Sequence, residues 1–418
     1  MNPMNPLLPP DIFVPDAEAH VWDDGRIYLY GSFDMKGEKS YCSRIYHVYS
    51  SDDMINWTDH GVSFSLDMTD WAKDCGALYA PDCAFRNGKY YLYYCVPDGR
   101  CGVAVSESPV GPFCDVGPME HVLGIDPAVM IDDDGQAWFY WGQFDKVRAA
   151  RLKDNMVEID PDSITQPLSV KEHEFHEGSS VKKINGRYYY LFTDTHRHGN
   201  RATSLGYAVS DYPDHGFEYG GIVIDNFGCD PGSWNNHGSL CEFNGQWYVF
   251  YHRSTNGSRS MRKACVEPIE FDGDGLIKEV EMTSSGAARG LVPFDETPAR
   301  IACKMTGNAR IVLTRDGKER LGGIRAGDTA TWSRFVECSR PIRSLSLKVV
   351  ARAGGRISLL GCDGGEIGSV EVPAGDGLSS VELTMALPGM SGTIDAVVLR
   401  FDGEKGSDLF DLQSFAFW

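Results

Sequence analysis

One phrase recurs five times along this chain, and it constrains the fold more than any other feature of the sequence. Each copy is a short apolar stretch, an Asp-Gly or Asn-Gly pair, and then an aromatic-rich stretch. The copies are AHVWDDGRIYLYGSF, CAFRNGKYYLYYCV, AVMIDDDGQAWFYWGQF, SVKKINGRYYYLFTDT and SLCEFNGQWYVFYHR. Asn-Gly and Asp-Gly favour tight β-hairpins, because both central residues of such turns adopt positive φ. The phrase therefore predicts five aromatic-rich hairpins.

The spacing of these hairpins predicts how they assemble. The turn glycines are separated by 63, 47, 51 and 59 residues, and they are Gly25, Gly88, Gly135, Gly186 and Gly245. Hairpins that recur at this period, with almost no helical periodicity between them, are typical of four-stranded blades around an axis. We predict an all-β fold in which residues 1–285 form a five-bladed β-propeller. A large stacked β-sandwich is the alternative, although it does not require one phrase to recur.

The register of the repeats brings a set of polar residues into equivalent positions. Nine residues before each turn glycine stand Asp16, Tyr79, Asp126, Glu177 and Asn236, with His237 beside the last. In a propeller, equivalent positions near the start of the inner strands project toward the central channel. We expect these side chains to converge at one mouth of it. Asp82 lies only six residues before its glycine and is excluded from this set.

Three converging carboxylates indicate a catalytic site. Like charges in one cleft push pKa values apart, which glycoside hydrolysis exploits, because one carboxyl must stay protonated while another activates water or attacks carbon. Blades on opposite sides of a channel favour a separation of roughly 6.5–9.5 Å, which leads to inversion of configuration. Two other interpretations stay open. Any one of these acids could cap a turn, and the three together with His237 could hold Ca²⁺.

The net charge and the cysteine content indicate which kinds of ligand the protein binds and in which cellular compartment it is expected. The formal net charge of −20 argues against nucleic acid or an anionic membrane and suits a neutral ligand such as carbohydrate. The first residues, MNPMNPLLPPDIFVPD, have neither the basic nor the apolar region of a secretory signal, and no window is apolar enough to span a bilayer. The twelve cysteines form no CxxC pair. We expect a cytoplasmic protein, and the sequence leaves its oligomeric state open.

Five segments together resemble glycoside hydrolase family 43, a family of five-bladed propeller enzymes. They are FVPDAEAHVWDDGRIYLYGSFD, YSSDDMINWTDHG, GIDPAVMIDDDGQAWFYWG, HEGSSVKKINGRYYYLF and NNHGSLCEFNGQWYVFYHRST. The resemblance implies that Asp16 is the general base, Asp126 modulates the pKa of the acid, and Glu177 is the general acid. It places His237 under the active site. The family's aromatic stacking residue and sugar-contacting arginine correspond to Phe33 and Arg262.

The resemblance implies an inverting, exo-acting glycoside hydrolase that releases α-L-arabinofuranosyl or β-D-xylosyl units from plant-polysaccharide oligosaccharides. Tyr79, Asn236 and His237 are further expected substrate-binding residues, with Tyr79 placed to stack on a sugar face. No cofactor is required, while a structural Ca²⁺ in the channel near His237 stays an alternative. Two other functions stay open: a related propeller glycosidase acting on galactose-type substrates, and a non-catalytic carbohydrate-binding protein.

The last part of the chain has a different pattern. Residues 286–299 belong to a Gly-, Ser- and Pro-rich stretch that predicts a linker. From 300 to 418, short alternating segments between glycine turns predict a β-sandwich of jelly-roll type. AGDTATWSRFVE, GGEIGSVEVP and DLFDLQSFAFW resemble a family 6 carbohydrate-binding module. Asp411 stands where that family has a ligand-binding asparagine, so we expect a module that has lost its ligand and calcium and buttresses the propeller.

Overall fold

The computed structural model describes residues 4–199, 201–314, 317–390 and 392–418, and its regular structure is almost entirely β. The first eighteen strands form five antiparallel sheets, each with its strands in chain order. Blade 1 contains β1 (Glu18–Val21), β2 (Ile27–Tyr30), β3 (Ile45–Ser51) and β4 (Thr58–Ser65), and blade 2 contains β5 (Asp82–Arg86), β6 (Lys89–Cys95), β7 (Arg100–Ser106) and β8 (Cys114–Leu123). Blade 3 contains β9 (Ala128–Ile131), β10 (Ala137–Trp141) and β11 (Arg148–Arg151), and blade 4 contains β12 (Phe175–Ile184), β13 (Arg187–Asp194), β14 (Ser204–Ser210) and β15 (Glu218–Asp225). Blade 5 contains β16 (Ser239–Phe243), β17 (Gln246–Thr255) and β18 (Ser258–Pro268).

Helical structure in the described residues is short. It comprises α1 (Val170–His173) and the 3₁₀ turns Leu66–Met68, Phe144–Lys146, Pro161–Ser163 and Ala299–Ile301. None of these helices has the length and apolar character needed to cross a membrane.

The side-chain alternation of the strands explains why the blades form a closed ring. On β2, Ile27 and Leu29 pack toward blade 5, while Tyr28 and Tyr30 on the opposite face pack toward blade 2. Alternate residues of a strand point to opposite faces of its sheet, so an aromatic-rich strand has two apolar faces. The described residues contain one apolar cluster between each pair of neighbouring blades, and a fifth cluster joins blade 5 to blade 1. The predicted five-bladed propeller is therefore confirmed.

Two of the blades have fewer strands than predicted. Blades 3 and 5 have three named strands each, whereas the repeat predicts four. In blade 3 an isolated bridge between Ala149 and Thr165 stands at the outer edge. In blade 5 the N-terminal segment lies along β18, where the Leu7 amide donates to the Ala264 carbonyl at 3.0 Å. The segment around Leu7 thus covers the outer edge of blade 5.

The five turns are of two kinds, although they look alike in sequence. In the three Asn-Gly turns both residues have positive φ, with 53° and 76° at Asn87 and Gly88. In the two Asp-Gly turns only the glycine has positive φ. There the aspartate side chain accepts a hydrogen bond from an amide two residues later, as in the 3.1 Å bond from Arg26 to Asp24. The prediction that both turn residues have positive φ is confirmed for Asn-Gly and wrong for Asp-Gly, because an Asx-type bond supports a longer turn there.

The remaining strands form a β-sandwich of two sheets around a single apolar core. One sheet contains β19 (Thr297–Pro298), β21 (Arg310–Leu313), β22 (Glu319–Gly322), β24 (Ile342–Ala351), β27 (Ser380–Met390) and β29 (Phe410–Phe417). The other contains β20 (Lys304–Met305), β23 (Thr329–Ser333), β25 (Gly355–Leu360), β26 (Glu366–Val372) and β28 (Ala396–Asp402). The stretch 286–299 is not a free tether, since Leu291 packs in this core and β19 pairs with β29.

Candidate active site

A cavity of about 210 Å³ opens where the inner strands of the blades begin. Its lining includes Asp16 of blade 1, Tyr79 of blade 2, Asp126 of blade 3, Glu177 of blade 4 and His237 of blade 5. Four of these stand two or three residues before the first strand of their blade, and Glu177 lies in β12. The structure thus brings together four of the five side chains that the repeat register selects, and His237, the neighbour of the fifth.

Asp16 is buried and held from several sides. The Ser32 hydroxyl donates to its Oδ2 at 2.7 Å, and Nη1 of Arg262 donates to Oδ1 at 3.0 Å. Nδ1 of His252 lies 3.3 Å from the same oxygen. Burial alone would raise the pKa of Asp16, but the Arg262 guanidinium and His252 hold it well below its usual range. Asp16 is therefore an ionised carboxylate at neutral pH.

Arg262 is oriented by a second carboxylate, that of Asp34. Its Nε and Nη2 donate to the two oxygens of Asp34 at 2.9 and 3.0 Å, and its backbone amide donates to Oδ2 at 3.1 Å. A bidentate pair of this kind fixes the plane of the guanidinium. The third nitrogen, Nη1, is thereby aimed at Asp16 while Arg262 lines the cavity.

Asp126 has the opposite electrostatic environment. Burial, with the nearby charges of Glu177 and Asp16, raises its pKa well above the usual value. The Gly178 amide donates to its Oδ2 at 3.0 Å, which opposes this rise without cancelling it. The environments of Asp16 and Asp126 accordingly push the pKa values of these two carboxyl groups in opposite directions.

Glu177 is presented by an irregularity in its strand. The pairing of β12 with β13 shifts register on both sides of Glu177, as at a β-bulge, and Gly178 has a φ of 77°. A Cβ on Gly178 would lie 2.6 Å from Thr193 Oγ1, so only glycine fits there. Such a bulge re-aims a side chain. The Glu177 Oε2 accepts a hydrogen bond from the Gln143 amide at 2.6 Å, at the cavity wall.

Two predicted substrate-binding residues do not line the cavity. Phe33 stacks on His47 with ring centroids 4.8 Å apart and packs among apolar residues. Asn236 is fully buried, where its amide donates to the Thr203 carbonyl at 3.0 Å and its Oδ1 accepts from the His252 amide at 3.3 Å. The neighbours of Asn236 reach the cavity instead, namely Asn235 and His237. The cause is local, because the chain enters β16 by a bridged segment and not by a regular strand.

His237 lies beside the carboxylates. Its Nδ1 is 4.0 Å from Asp126 Oδ2, and burial lowers its pKa despite the charges of Asp16 and Glu177. A neutral imidazole is thus expected at the floor of the cavity.

Several residues of the site were not selected by the sequence. The cavity is also lined by Tyr41, Gln143 and Asn235. Two further residues hold the lining side chains in place: Ser32, which bonds to Asp16, and Asp34, which bonds to Arg262. An acidic residue ending the apolar stretch YLYGSFD was a usable signal for Asp34. Tyr41 lies in a loop between repeats, where the sequence has no periodic signal to use, whereas Gln143 lies at the end of the third copy of the repeated phrase.

The channel residues do not fit a Ca²⁺ ion, which takes six to eight oxygen ligands. Within the described residues, the group of three potential ligands is Glu18, His20 and Asp82, and their ligand atoms lie within 4.8 Å of one another. The Lys182 ammonium is 2.7 Å from Glu18 Oε1 and already supplies positive charge there. His20 Nε2 is 2.7 Å from Asp82 Oδ1. His237 belongs to no such group among the described residues.

A propeller with carboxylates gathered at the mouth of its channel, around a cavity the size of a sugar ring, has the site of a glycoside hydrolase. The chain belongs to glycosyl hydrolase family 43, whose family model matches residues 4–277.

Named relatives and solved structures agree with this assignment. A xylosidase/arabinosidase of Thermoclostridium stercorarium is 30% identical, with 98% of each chain covered. The structure of an arabinoxylan arabinofuranohydrolase from Bacillus subtilis, in complex with cellotetraose, has a TM-score of 0.59 at 26% identity and covers 99% of this chain and 97% of its own. A β-xylosidase/α-arabinofuranosidase from a compost metagenome, solved with xylotriose in a calcium-free form, has a TM-score of 0.59 at 31% identity over 67% of this chain and 97% of its own.

Proposed function

We propose that this chain is an inverting, exo-acting glycosidase that removes α-L-arabinofuranosyl or β-D-xylosyl units from xylan-derived oligosaccharides. The observation that carries the proposal is one small cavity that holds Asp16 and Glu177 from blades that are not neighbours. Neighbouring blades share an apolar cluster, and blades 1 and 4 share none among the described residues. Carboxylates on opposite sides of a channel leave room for a water molecule between base and sugar, which is the inverting arrangement.

The size of the cavity supports removal of a single terminal sugar. Its volume of about 210 Å³ is below the range of roughly 300–1,000 Å³ typical of pockets for drug-sized ligands. A polymer running through the site would need an open groove. One ring at a chain end suits this cavity better.

In the proposed mechanism, Asp16 is the general base. Its low pKa keeps it ionised, and the donors Ser32 and Arg262 fix its orientation. Asp16 accepts a proton from the attacking water as the water's oxygen bonds to the anomeric carbon. The Arg262 guanidinium remains beside it and stabilises its charge before the transfer.

Glu177 is the proposed general acid. It gives its proton to the glycosidic oxygen as the bond to the anomeric carbon breaks, so the leaving group departs as a neutral alcohol. Gln143 fixes the orientation of Glu177, and Asp126, whose pKa is raised in part by the charge of Glu177, is the proposed modulator of the acid.

The proposed sugar comes from the relatives, several of which are named for xylosidase and arabinosidase activity. A galactose-type sugar is the second candidate, because a relative of 27% identity from Aspergillus niger is named as a β-D-galactofuranosidase. Both candidates require the same catalytic groups, and the pocket wall would select between them.

The test is a panel of 4-nitrophenyl glycosides with anomer-resolved NMR of the released sugar. We expect turnover of α-L-arabinofuranoside or β-D-xyloside, with the product anomer inverted. Release of the retained anomer would contradict the roles given to Asp16 and Glu177. Sugar binding without turnover of any glycoside in the panel would favour the non-catalytic alternative.

For the C-terminal sandwich we propose the role of a buttress, descended from a module like carbohydrate-binding family 6. The β17–β18 turn docks on it, since the Asn256 amide donates to the Ile311 carbonyl at 2.7 Å and Asn256 Oδ1 accepts from Leu313 at 2.7 Å. Asp411, at the position expected to bind sugar, accepts from Arg352 at 3.0 Å. That pairing occupies the carboxylate within the sandwich.

Two further proposals concern the protein's requirements and location. We propose that catalysis needs no bound ion, because an ammonium occupies the channel's group of three potential ligands. We also propose a reducing, cytoplasmic location, which suits twelve cysteines that are all free thiols.

A further inference from the structure

A row of alternating rings and guanidinium groups leads outward from the cavity. Tyr41, which lines the cavity, has the guanidinium carbons of Arg262 and Arg259 at 4.7 and 5.6 Å from its ring centre. Arg259 also lies 5.9 Å from the ring of Trp234. Arg201 continues the row, 6.0 Å from Trp234 and 5.9 Å from Phe227. We call Tyr41, Arg259, Trp234, Arg201 and Phe227 the arginine–aromatic wall.

The outer rings of this wall are unusually accessible. Trp234 is 42% exposed and Phe227 is 43% exposed, whereas most aromatic side chains of the propeller are buried between blades. The exposed part of the Trp234 indole can receive the apolar face of a sugar ring, whereas the Phe227 ring is stacked on His198 with centroids 4.1 Å apart. Trp234 directly precedes Asn235, which lines the cavity, so the rings are continuous with the catalytic pocket.

The inner end of the wall has polar atoms that lack partners. The Tyr41 hydroxyl and Asn235 Oδ1 are buried, and neither has a hydrogen-bond partner among the described residues. Buried polar atoms of this kind are ordinarily satisfied. Hydroxyl groups of a bound sugar at the cavity mouth would supply the missing bonds, which places a second sugar unit between Tyr41 and Asn235.

The arginine–aromatic wall carries positive charge, whereas the molecule as a whole is negatively charged. The chain carries a formal net charge of −20, yet neither Arg259 nor Arg201 has a carboxylate within 4 Å among the described residues. Arg197, in the same β13–β14 connection as Arg201, is by contrast paired with Glu279 at 2.6 and 3.0 Å. A guanidinium is a preferred partner for a carboxylate, because it donates two parallel hydrogen bonds. Two unpaired guanidinium groups between ring faces therefore fit a ligand that is both a sugar and an anion.

We propose that the arginine–aromatic wall binds the leaving-group side of the substrate and selects oligosaccharides that carry a uronic acid residue. A sugar ring stacks on Trp234, Phe227 borders the same surface, and the uronate carboxylate pairs with Arg259 or Arg201. This inference rests on the proposed glycosidase function and names the substrate subclass of the same site.

The test compares two xylo-oligosaccharides of equal length, one neutral and one bearing a single uronic acid branch. For the wild-type chain we expect kcat/KM to be about tenfold higher on the acidic substrate, falling as salt is raised. The double variant Arg259→Gln with Arg201→Gln should lose most of this preference, so that its kcat/KM values on the two oligosaccharides become similar. A general loss of activity lowers both values equally and leaves their ratio unchanged. Trp234→Ala should lower kcat/KM on both oligosaccharides. The control is Arg151→Gln on blade 3, whose guanidinium is 2.9 Å from Asp160, and it should keep the wild-type ratio.

Equal kcat/KM on the two oligosaccharides in the wild-type chain would overturn the proposal, as would a double arginine variant that keeps the preference. Failure here is separable from failure of the proposed function. If 4-nitrophenyl pentosides are hydrolysed but no preference exists, only the uronate inference is wrong. If no glycoside is hydrolysed, calorimetric binding of the same two oligosaccharides still tests the wall, and equal affinities would overturn it.

Discussion

Asp16 and Asp126 both have a φ of 57°, in the left-handed region that residues with a side chain rarely adopt. They occupy equivalent positions in blades 1 and 3, so the same unusual conformation turns both carboxylates toward the cavity. Such conformations cost of order 1–3 kcal/mol each and cluster at functional sites. Their environments then separate the two acids, since Arg262 lies beside Asp16 whereas buried like charge surrounds Asp126.

Replacement of Glu177 by Gln removes the proposed proton donor without changing its shape. We expect kcat on alkyl or 4-nitrophenyl glycosides to fall by about 10²–10⁴-fold, the usual contribution of a general acid. On 2,4-dinitrophenyl glycosides the loss should be small, because that leaving group needs no proton. Glu172→Gln, at an exposed glutamate on α1, is the matched control and should behave as wild type. An equal loss on all leaving groups would contradict the role of Glu177.

Replacement of Asp126 by Asn should make stability less dependent on pH. A carboxyl group whose pKa is raised on folding stabilises the fold while protonated, and that contribution is lost as pH rises through its folded pKa. The unfolded pKa is about 3.9. Above about pH 4, we expect the melting temperature of Asp126→Asn to rise progressively relative to wild type, while activity falls. A difference in melting temperature that stays constant from pH 4 to 8 would contradict the assignment.

At the scale of the element, β12 shows how a blade strand is modified to serve the site. A regular strand would alternate its side chains between two blade faces, and the bulge at Glu177 breaks that alternation so that the acid points along the channel mouth. The apolar residues that follow, such as Val181 and Ile184, are buried between blades. The later part of β12 therefore packs between blades, and its first part positions the reactive carboxyl group of Glu177.

Two glycines of blade 4 have similar backbone conformations but different surroundings, one in the bulge and the other in the hairpin turn. Gly178 and Gly186 have similar φ values of 77° and 84°, but only a Cβ at Gly178 would meet neighbours, Thr193 Oγ1 at 2.6 Å and the His237 ring at 3.3 Å. We expect Gly186→Ala to lower the free energy of unfolding by about 1–2 kcal/mol, from backbone strain alone. Gly178→Ala should lower it by about 1–3 kcal/mol more and should reduce activity. Equal losses in urea unfolding would show that the close approach at Gly178 is relaxed.

At the scale of the whole molecule, a buried ion pair joins the propeller to the sandwich. Lys263 of β18 and Glu319 of β22 lie 2.8 Å apart, with side chains 3% and 1% exposed. Burial lowers the pKa of Lys263 and raises that of Glu319, so the pair is held by mutual attraction against desolvation. Lys263 follows Arg262 directly, which links the sandwich to a strand that carries a site residue.

Breaking this pair from one side should be costly. Lys263→Met leaves a buried carboxylate unpaired, and we expect about 3–5 kcal/mol of destabilisation, measured as a lowered melting temperature. The double variant Lys263→Met with Glu319→Leu should recover most of that loss, because an apolar pair of similar volume suits the same interface. A single variant that melts within a degree or two of wild type would show that the pair does not hold the domains together.

A second prediction for the intact protein is that removal of metal ions has no effect. After treatment with a chelator we expect hydrolysis and melting temperature to stay within error of the untreated protein, because Lys182 supplies the cation among Glu18, His20 and Asp82. The measurement is activity before and after dialysis against EDTA. Lost activity that Ca²⁺ restores would mean that an ion binds in the channel after all.

Five copies of one hairpin phrase were enough, by themselves, to determine an all-β chain, the number of blades and the register that aligns Asp16, Asp126 and Glu177. The physical reason is that strand alternation and turn chemistry are local, so a repeated sequence specifies a repeated element. Only the tertiary structure decided that Asn235 and His237 reach the cavity while Asn236 is buried, that Phe33 packs on His47, and that Asp34 orients Arg262 from 228 positions away. Those contacts join distant parts of the chain through loops without periodicity, and no local pattern encodes which loop meets which.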